Sequence, residues 1–339
     1  MLLKRLTEAF GVSGCEAQVR DIITEEIKDC GGNFNVDSMG NLIAFKKAKK
    51  ENAKTILLSA HMDEVGFIVT DITEDGYLKF ATVGGVDPRI LISKRVKVND
   101  RCGVIGLKPV HLTTKEERKK TPKEKDLFVD IGAKCKEDAE NVVLKGDYFG
   151  FDSDYTEFGN MIKAKALDDR VGCLIMIEML KKEWDVNLVC TFTVQEEVGL
   201  RGAKIAAKGI CPDFALVIEG TTCNDLTSVP KNLRVTKCGG GAAISILDSA
   251  SKADKEASGM LINAAEKRNI PWQYKASNAG GNDAGAISLL DGGIKTASIS
   301  VPCRYIHSPV CVMHKADFDS CKKIVEGFLE DCGGVTDND

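Results

Sequence analysis

The sequence lacks the features that would direct a chain to a membrane or to nucleic acid. No apolar run in its 339 residues approaches the roughly 20 residues of a membrane-spanning helix. The formal net charge of −4 and sequence pI of about 5.8 provide no basic field for nucleic acid. The opening MLLKRLTEAFGVSG has neither the long apolar region nor the cleavage site of a signal peptide. We therefore expect a soluble, cytoplasmic protein.

Paired cysteine motifs are also missing. The thirteen cysteines include no C-x-x-C pair, and their number is odd. Scattered cysteines of this kind are typical of reduced thiols that serve as small apolar residues, so we expect neither disulfides nor a zinc–cysteine site. Histidine is scarce, with four in the chain.

The two ends of the sequence alternate between helical and strand patterns. GVSGCEAQVRDIITEEIKD offers Ser13 and Glu16 as a capping box before apolar residues at helical spacing. A hairpin around 37–41 and the buried strand TILLSA follow. Later segments predict helices at 169–182, 202–208 and 252–268 and strands at 186–194, 214–219, 242–247 and 294–301, before a last helix. This alternation predicts an α/β fold with a mostly parallel sheet and helices on both faces.

Residues 66–160 have a different texture. Short β segments such as FIVTDI, YLKFATV and DLFVDIGA are separated by glycine, aspartate and a charged loop, TTKEERKKTPKEK. We interpret this stretch as a small β-rich domain inserted into an α/β domain formed by residues 1–65 and 161–339.

Side chains that bind metals recur where predicted strands end or helices begin. In open α/β sheets, ligands bind beyond the carboxyl ends of the strands, so these segments could converge. The residues are His61 and Asp63, Asp168 and Asp169, Glu196 and Glu197, Glu219, and His307.

Two imidazoles and three or four carboxylates exceed the three protein ligands of a typical catalytic zinc, but they suit two ions that share a bridging carboxylate and a water. In the segment TFTVQEEVGL, one of the adjacent glutamates could bind a metal while the other acts as a base on the metal-activated water. Taken singly, each motif also has a structural interpretation, such as a helix N-cap or a solvated pair. We interpret His111 and His314 as structural or surface residues.

With these motifs the chain resembles metallopeptidase family 42, the glutamyl and tetrahedral aminopeptidases also labelled cellulase M or endoglucanase. The segments that carry the resemblance occur in the family's order: GVSGCE, SAHMDEVGF, VGGVDPRIL, GVIGLKPVHL, DLFVDIGA, KALDDRVG, VQEEVGLRGA, GGNDAG and PCRYIHSP. Two positions depart from the family pattern: Glu219 is often aspartate there, and Asn282 replaces an expected threonine.

The resemblance implies a role for each site residue. His61 and Glu219 would bind one divalent ion, Glu197 and His307 the other, and Asp168 would bridge the two. Asp63 would orient His61. Glu196 would be the general base, and the bond between Asp168 and Asp169 would be cis.

The resemblance further implies a homo-oligomer. In the family the inserted module is a small β-barrel-like domain that mediates dimerisation, and dimers often assemble into dodecamers with the active sites facing an inner chamber. The substrates would be short peptides that lose their N-terminal residue. Acidic, basic and apolar N-terminal residues all stay open, as do zinc, cobalt and manganese.

Two other functions compete with this one. An endo-1,4-beta-glucanase would need two carboxyls that flank the scissile bond and usually no metal, which leaves the histidines without a purpose. A non-catalytic scaffold of peptidase fold should have lost a ligand or the base, whereas all are present here.

Overall fold

The computed structural model describes residues 1–276 and 280–334. The strands of these ranges are β1 (Asn33–Val36), β2 (Leu42–Lys46), β3 (Thr55–His61), β4 (Gly66–Ile72), β5 (Leu78–Val83), β6 (Arg95–Val98), β7 (Arg101–Leu107), β8 (Leu127–Asp130), β9 (Tyr148–Phe151), β10 (Thr156–Phe158), β11 (Met161–Ala164), β12 (Asn187–Thr193), β13 (Phe214–Thr222), β14 (Ala242–Ser245), β15 (Trp272–Tyr274), β16 (Thr296–Arg304) and β17 (Cys311–His314). The α-helices are α1 (Leu2–Glu8), α2 (Ala17–Ile27), α3 (Lys136–Glu140), α4 (Leu167–Leu180), α5 (Ala203–Ala206), α6 (Lys255–Lys267), α7 (Ala284–Ile287) and α8 (Lys315–Gly334).

The larger sheet is mixed, with its parallel pairs mainly at the centre. Its main path runs β1-β2-β12-β3-β13-β16-β17-β11-β10, and β14 and β15 pair alongside β16. Strands β12, β3, β13 and β16 are parallel, whereas the strands towards both ends of the path pair antiparallel. The parallel centre matters because it brings the carboxyl ends of four strands to one edge.

Helices cover both faces of this sheet. Alternate residues of β3 serve different cores: Ile56 and Leu58 pack with α1, α2, α4, α6 and α8, whereas Leu57 packs with α5 and α7. Successive side chains of a strand point to opposite faces, which explains why these strands read as continuous apolar runs. The predicted α/β class with helices on both faces is confirmed, but the sheet is mixed rather than mostly parallel, because antiparallel strands flank its parallel centre.

The inserted module is a closed barrel of six strands in the order β4-β5-β8-β7-β6-β9. Its own core contains four phenylalanines, of which Phe67 and Phe149 stack with ring centroids 5.0 Å apart. The barrel strands run from Gly66 to Phe151, and β10 pairs into the larger sheet instead. The barrel itself is confirmed, and its boundary at residue 160 stays a prediction.

Several local predictions differ from the structure. The predicted strand ends lie within three residues of the observed ones, but Ser13 and Glu16 form no capping box. The Ser13 hydroxyl instead donates to Asp63, and the Glu16 carboxylate accepts from the amides of Gly14 and Gln195. These polar groups attach the loop before α2 to Asp63 and Gln195 rather than capping the helix.

All thirteen cysteines are free. No helix in the described ranges combines the length and hydropathy that a bilayer crossing requires.

Candidate metal centre

The five predicted ligands meet at the carboxyl edge of the parallel strands. His61 ends β3, Glu219 lies in β13, and Asp168 lies in the first turn of α4. Glu197 follows β12, and His307 follows β16. The peptide bond between Asp168 and Asp169 is cis, as the resemblance implied.

Asp168 stands between two groups of ligand-type side chains. His61, Asp168 and Glu219 form one group, and Asp168, Glu197 and His307 form another, with ligand atoms within 4.8 Å of one another in each. The His61 Nε2 atom is 3.5 Å from Asp168 Oδ1, and the His307 Nε2 atom is 3.6 Å from Asp168 Oδ2. Each oxygen of one carboxylate therefore faces a different imidazole.

Both imidazoles are held through their Nδ1 atoms. His61 Nδ1 is 3.0 Å from the backbone oxygen of Asp63, and His307 Nδ1 is 2.9 Å from the backbone oxygen of Gly85. A carbonyl oxygen only accepts hydrogen bonds, so each Nδ1 carries a proton, and in the neutral ring each Nε2 has a free lone pair. Those lone pairs point at carboxylate oxygens.

The imidazole Nε2 atoms and the carboxylate oxygens are all hydrogen-bond acceptors, and a cation between them would remove their mutual repulsion. Glu219 Oε1 is buried and has no hydrogen-bond partner, while its Oε2 lies 3.5 Å from His61 Nε2. Buried carboxylate oxygens are costly when they have no partner, and oxygen and imidazole nitrogen together suit divalent transition metals. The donor set therefore fits metal ions.

In the absence of metal ions, the pKa values of the cluster also indicate an excess of negative charge. Burial lowers the pKa of His307, but contacts with Asp168 and Glu197 outweigh it and raise the pKa to about 11. Burial raises the pKa of Glu219 to about 8, although His61 partly offsets it. Metal-free protein would thus keep protons where a cation could sit.

The adjacent acids Glu196 and Glu197 are held by one carboxylate. The strand β12 ends at Thr193, and Gln195 adopts a left-handed φ of +57° that turns the chain. Asp63 Oδ1 then accepts from the Glu196 amide at 2.9 Å, and Oδ2 accepts from the Glu197 amide at 3.1 Å. Burial raises the pKa of the Glu196 carboxyl well above its usual value.

Asp63 thus contacts more than His61. Its carboxylate Oδ1 lies 3.5 Å from His61 Nδ1, farther than its own backbone oxygen, and its Oδ2 also accepts from the Ser13 hydroxyl at 2.6 Å. The carboxylate mainly positions the backbone of the glutamate pair. Orientation of His61 by Asp63, the role that the resemblance implies, stays a prediction, and the backbone oxygen of Asp63 is the nearer acceptor for His61 Nδ1.

Four further groups lie around the centre: the sequence singled out Asp169 and Ser13 without indicating their contacts here, and it missed Gly85 and Asp283. Ser13 and Gly85 contact Asp63 and His307, and Asp169 accepts from the His61 amide. Asp283 accepts from Thr193 at 2.6 Å beneath the site. All four residues lie in motifs that carry the family resemblance, so the sequence could have indicated that they belong to the site. Only the tertiary structure shows which residues they contact. His111 is exposed, and His314 ends β17 and belongs to none of the ligand-type groups found among the described residues.

Comparisons with known proteins identify the family of this chain. The family model described as M42 glutamyl aminopeptidase matches residues 40–324, and a second model, AMPT, matches residues 1–23. A putative aminopeptidase of Acetivibrio thermocellus is 42% identical over 326 residues, which is 96% of each chain. The chain belongs to the M42 glutamyl aminopeptidase family.

Solved structures of aminopeptidases share the fold of this M42 protein. Aminopeptidase APDkam598 from the archaeon Desulfurococcus kamchatkensis is 38% identical with a TM-score of 0.93, covering 97% of this chain and 94% of its own. The TET1 peptidase of Pyrococcus horikoshii, which can assemble into a tetrahedron or a large octahedral shell, is 35% identical with a TM-score of 0.85, covering 97% and 98%. A Thermotoga maritima structure named endoglucanase also matches, at 35% identity and a TM-score of 0.82, covering 98% and 97%.

The M42 relatives carry different substrate names. A glutamyl aminopeptidase of Lactococcus lactis is 33% identical, covering 96% of this chain and 94% of its own. A lysyl aminopeptidase of Pyrococcus furiosus is 30% identical, covering 97% and 96%. Family membership thus supports aminopeptidase activity but leaves the preferred N-terminal residue open.

Proposed function

We propose that this chain is a dinuclear metallo-aminopeptidase that removes the N-terminal residue of short peptides. The observation that carries the proposal is the pair of imidazoles on opposite oxygens of Asp168, each with its Nδ1 hydrogen-bonded to a backbone carbonyl. His61 and Glu219 would hold one ion, His307 and Glu197 the other, and Asp168 both. Zinc, cobalt and manganese all suit these donors.

Glu196 is the general base in this proposal. When bound, the two ions would polarise the scissile carbonyl and lower the pKa of the attacking water. Glu196 would accept a proton from that water and deliver it to the leaving amine. Asp63 would keep the Glu196 carboxylate in place through the hydrogen bond to the Glu196 amide.

The barrel would mediate dimerisation, and the dimers would assemble into a dodecamer. The TET1 neighbour can assemble into a tetrahedron or a large octahedral shell, and the segment between β7 and β8 of the barrel carries exposed apolar side chains that an interface would cover. Val110 is 65% exposed, and Leu112 is 59% exposed. In this proposal residues 66–160 form the assembly domain, and residues 1–65 and 161–339 form the catalytic domain.

The rival functions receive less support from the site. A glycoside hydrolase would have no use for two imidazoles whose Nε2 atoms converge on one carboxylate. A decayed scaffold would be expected to have lost a ligand, whereas all five ligand-type residues and Glu196 lie in one cluster.

Hydrolysis of aminoacyl-p-nitroanilides tests the proposal. We expect turnover of leucyl-p-nitroanilide that EDTA abolishes and that added zinc, cobalt or manganese restores. N-acetyl-leucyl-p-nitroanilide should resist cleavage, because an aminopeptidase needs a free amino group. Chelator-insensitive cleavage of a cellulose oligomer, with no turnover of any aminoacyl substrate, would overturn it.

A further inference from the structure

We propose that Glu64 is a positioning residue of the metal centre. Its carboxylate, shared by Lys165 and Arg170, would fix the segment that carries His61 against the segment that carries Asp168. The inference rests on the dinuclear centre of the proposed function, since it concerns how the chain holds the ligands of two ions.

Glu64 lies between two cationic side chains in the protein interior. Its Oε1 atom accepts from Lys165 Nζ at 2.5 Å and from Arg170 Nη2 at 3.4 Å. These three residues, the Glu64 cluster, are 3%, 6% and 0% exposed in the order named. Lys165 and Arg170 stand on either side of Asp168 in the sequence, and Glu64 directly follows Asp63. One carboxylate therefore joins two site segments that are more than 100 residues apart in the chain.

Arg170 makes a second link between the same two segments. Its Nε atom donates at 2.9 Å to the carbonyl of Met62, the residue after His61, and its Nη1 atom donates to a carbonyl of α1. The guanidinium is closely packed, because a Cβ at Gly11 would lie 2.5 Å from Nη2. Met62 and Glu64 both contact Arg170, so a shift of residues 61–64 would break two contacts of one guanidinium.

The Glu64 cluster also borders the candidate metal centre. Glu64 and Lys165 line a small cavity together with Asp168, Glu197 and His307. Asp168 belongs to both groups of ligand-type side chains, so a displacement of its segment would change the geometry of both proposed ion sites. Loss of the Glu64 contacts should therefore weaken the binding of both ions.

A role in stability alone explains the Glu64 cluster less well. Buried ion pairs contribute little net stability compared with apolar residues of similar volume, because the charges lose their hydration. Leu167 and Val171, on either side of this part of α4, are fully buried and apolar, so the same core accepts apolar residues. Directional contacts to a carboxylate instead fix a geometry, which is what metal ligands require.

Removing the charge of Glu64 should loosen this connection. Glutamine has nearly the same shape as glutamate, but it leaves Lys165 and Arg170 without an anion between them. We expect Glu64→Gln to bind both zinc ions roughly 10–100-fold more weakly, the range typical of residues that orient metal ligands. Glu64→Asp keeps the charge, and the flexible stem of Lys165 can follow the shorter arm, so this variant should recover most of the lost affinity.

The matched control is Asp317→Asn. Asp317 is fully buried and accepts from the amides of Gly239 and Gly241 at 2.7 and 2.8 Å, but it belongs to none of the ligand-type groups found in the described part of the chain. Both Glu64→Gln and Asp317→Asn remove the charge of a buried, hydrogen-bonded carboxylate, so both should unfold at lower urea concentration than the parent. Only Glu64→Gln should also bind zinc more weakly.

The experiment titrates zinc into each metal-free protein in competition with a chelating dye, which gives both affinities without turnover. Zinc affinities in Glu64→Gln equal to those of the parent, or a loss confined to one ion, would overturn the inference. If Glu64→Gln does not fold, Lys165→Met decides, because it leaves Glu64 paired with Arg170. Lys165→Met should weaken both ions relative to Asp317→Asn, and unchanged affinities would overturn the inference.

Activity separates this inference from the proposed function. A parent chain that binds two zinc ions but hydrolyses no aminoacyl substrate would refute the aminopeptidase function, and weaker zinc binding by Glu64→Gln would still support the positioning role. An active parent whose zinc affinities are unchanged in Glu64→Gln would overturn the positioning role and leave the proposed function intact.

Discussion

At the scale of single residues, the two neighbouring glutamates are the most informative feature. A regular strand would send Glu196 and Glu197 to opposite faces, and the chain avoids this by ending β12 at Thr193. Asp63 then accepts from both glutamate amides with its two oxygens. Two acids can stand side by side because a third, buried acid fixes the backbone between them.

The different roles proposed for these glutamates predict different variants. Glu196→Gln should keep both metals and the fold, because the amide is nearly isosteric, yet lose roughly 10²–10⁴-fold in turnover with the proton carrier. Glu197→Gln, the matched control, should lose metal as well as activity. Metal analysis and kcat together separate the two. A Glu196→Gln protein that lacks one ion would mean that the roles are reversed.

The ionisation of His307 and Glu219 predicts how metal-free protein responds to pH. The folded pKa of His307 is raised to about 11, so its contribution to stability is complete below its unfolded value of about 6.5 and is lost as pH rises through 11. The pKa of Glu219 is also raised, to about 8, so the folded state again binds the proton more tightly and loses stability as pH rises.

EDTA-treated protein should therefore unfold at lower urea concentration at about pH 9 than at about pH 6. Metal-loaded protein should not show this trend, since the ions replace these protons. The measurement is a urea titration of both forms at each pH. Greater stability of the metal-free form at the higher pH would contradict the proposed protonation states.

At the scale of elements, the loop after β5 connects the barrel to the candidate metal centre. Gly85 accepts the hydrogen bond of His307, and Gly84 adopts a φ of +84° beside Glu197. These two contacts involve the ligands of one proposed ion and not His61 or Glu219. The barrel therefore helps to shape half of the centre.

Substitution of Gly84 tests that connection. A Cβ there would lie 2.9 Å from Val65 Cγ1 and 3.3 Å from Glu197 Cβ, in a conformation that costs a non-glycine residue about 1–2 kcal/mol. We expect Gly84→Ala to weaken binding of one ion of the two. Gly146→Ala is the control, because Gly146 has a φ of +94° and no atom within 4 Å of its Cβ position. Equal metal affinity in both variants would argue against the connection.

This loop also shows what the sequence could and could not predict. The strand ends that carry His61 and Glu219 were predictable, because apolar periodicity locates strands and parallel strands share an edge. Gly85 lies 222 residues before His307, and no local pattern reports a contact across that distance. The missing capping box has a similar origin, because Ser13 follows the capping pattern locally but finds a stronger partner in Asp63.

At the scale of the whole molecule, the barrel is attached through two neighbouring strands. Phe67 of β4 pairs with Phe149 of β9 in antiparallel register, so both chain connections to the barrel run side by side. A tight turn could therefore replace everything between them. The same connections leave the larger sheet, including β10 and β11, unbroken.

Replacing residues 67–149 by a Gly-Ser turn should leave a soluble catalytic domain that no longer assembles. Because this deletion also removes the carbonyl of Gly85, the remaining protein should bind the His307 and Glu197 ion more weakly than the His61 and Glu219 ion. Light scattering would report the loss of the large particle, and metal analysis the loss of one ion. A deleted protein that still forms the full-size particle would place the assembly interface on the α/β domain, and one that binds both ions normally would show that the barrel loop is dispensable to the centre.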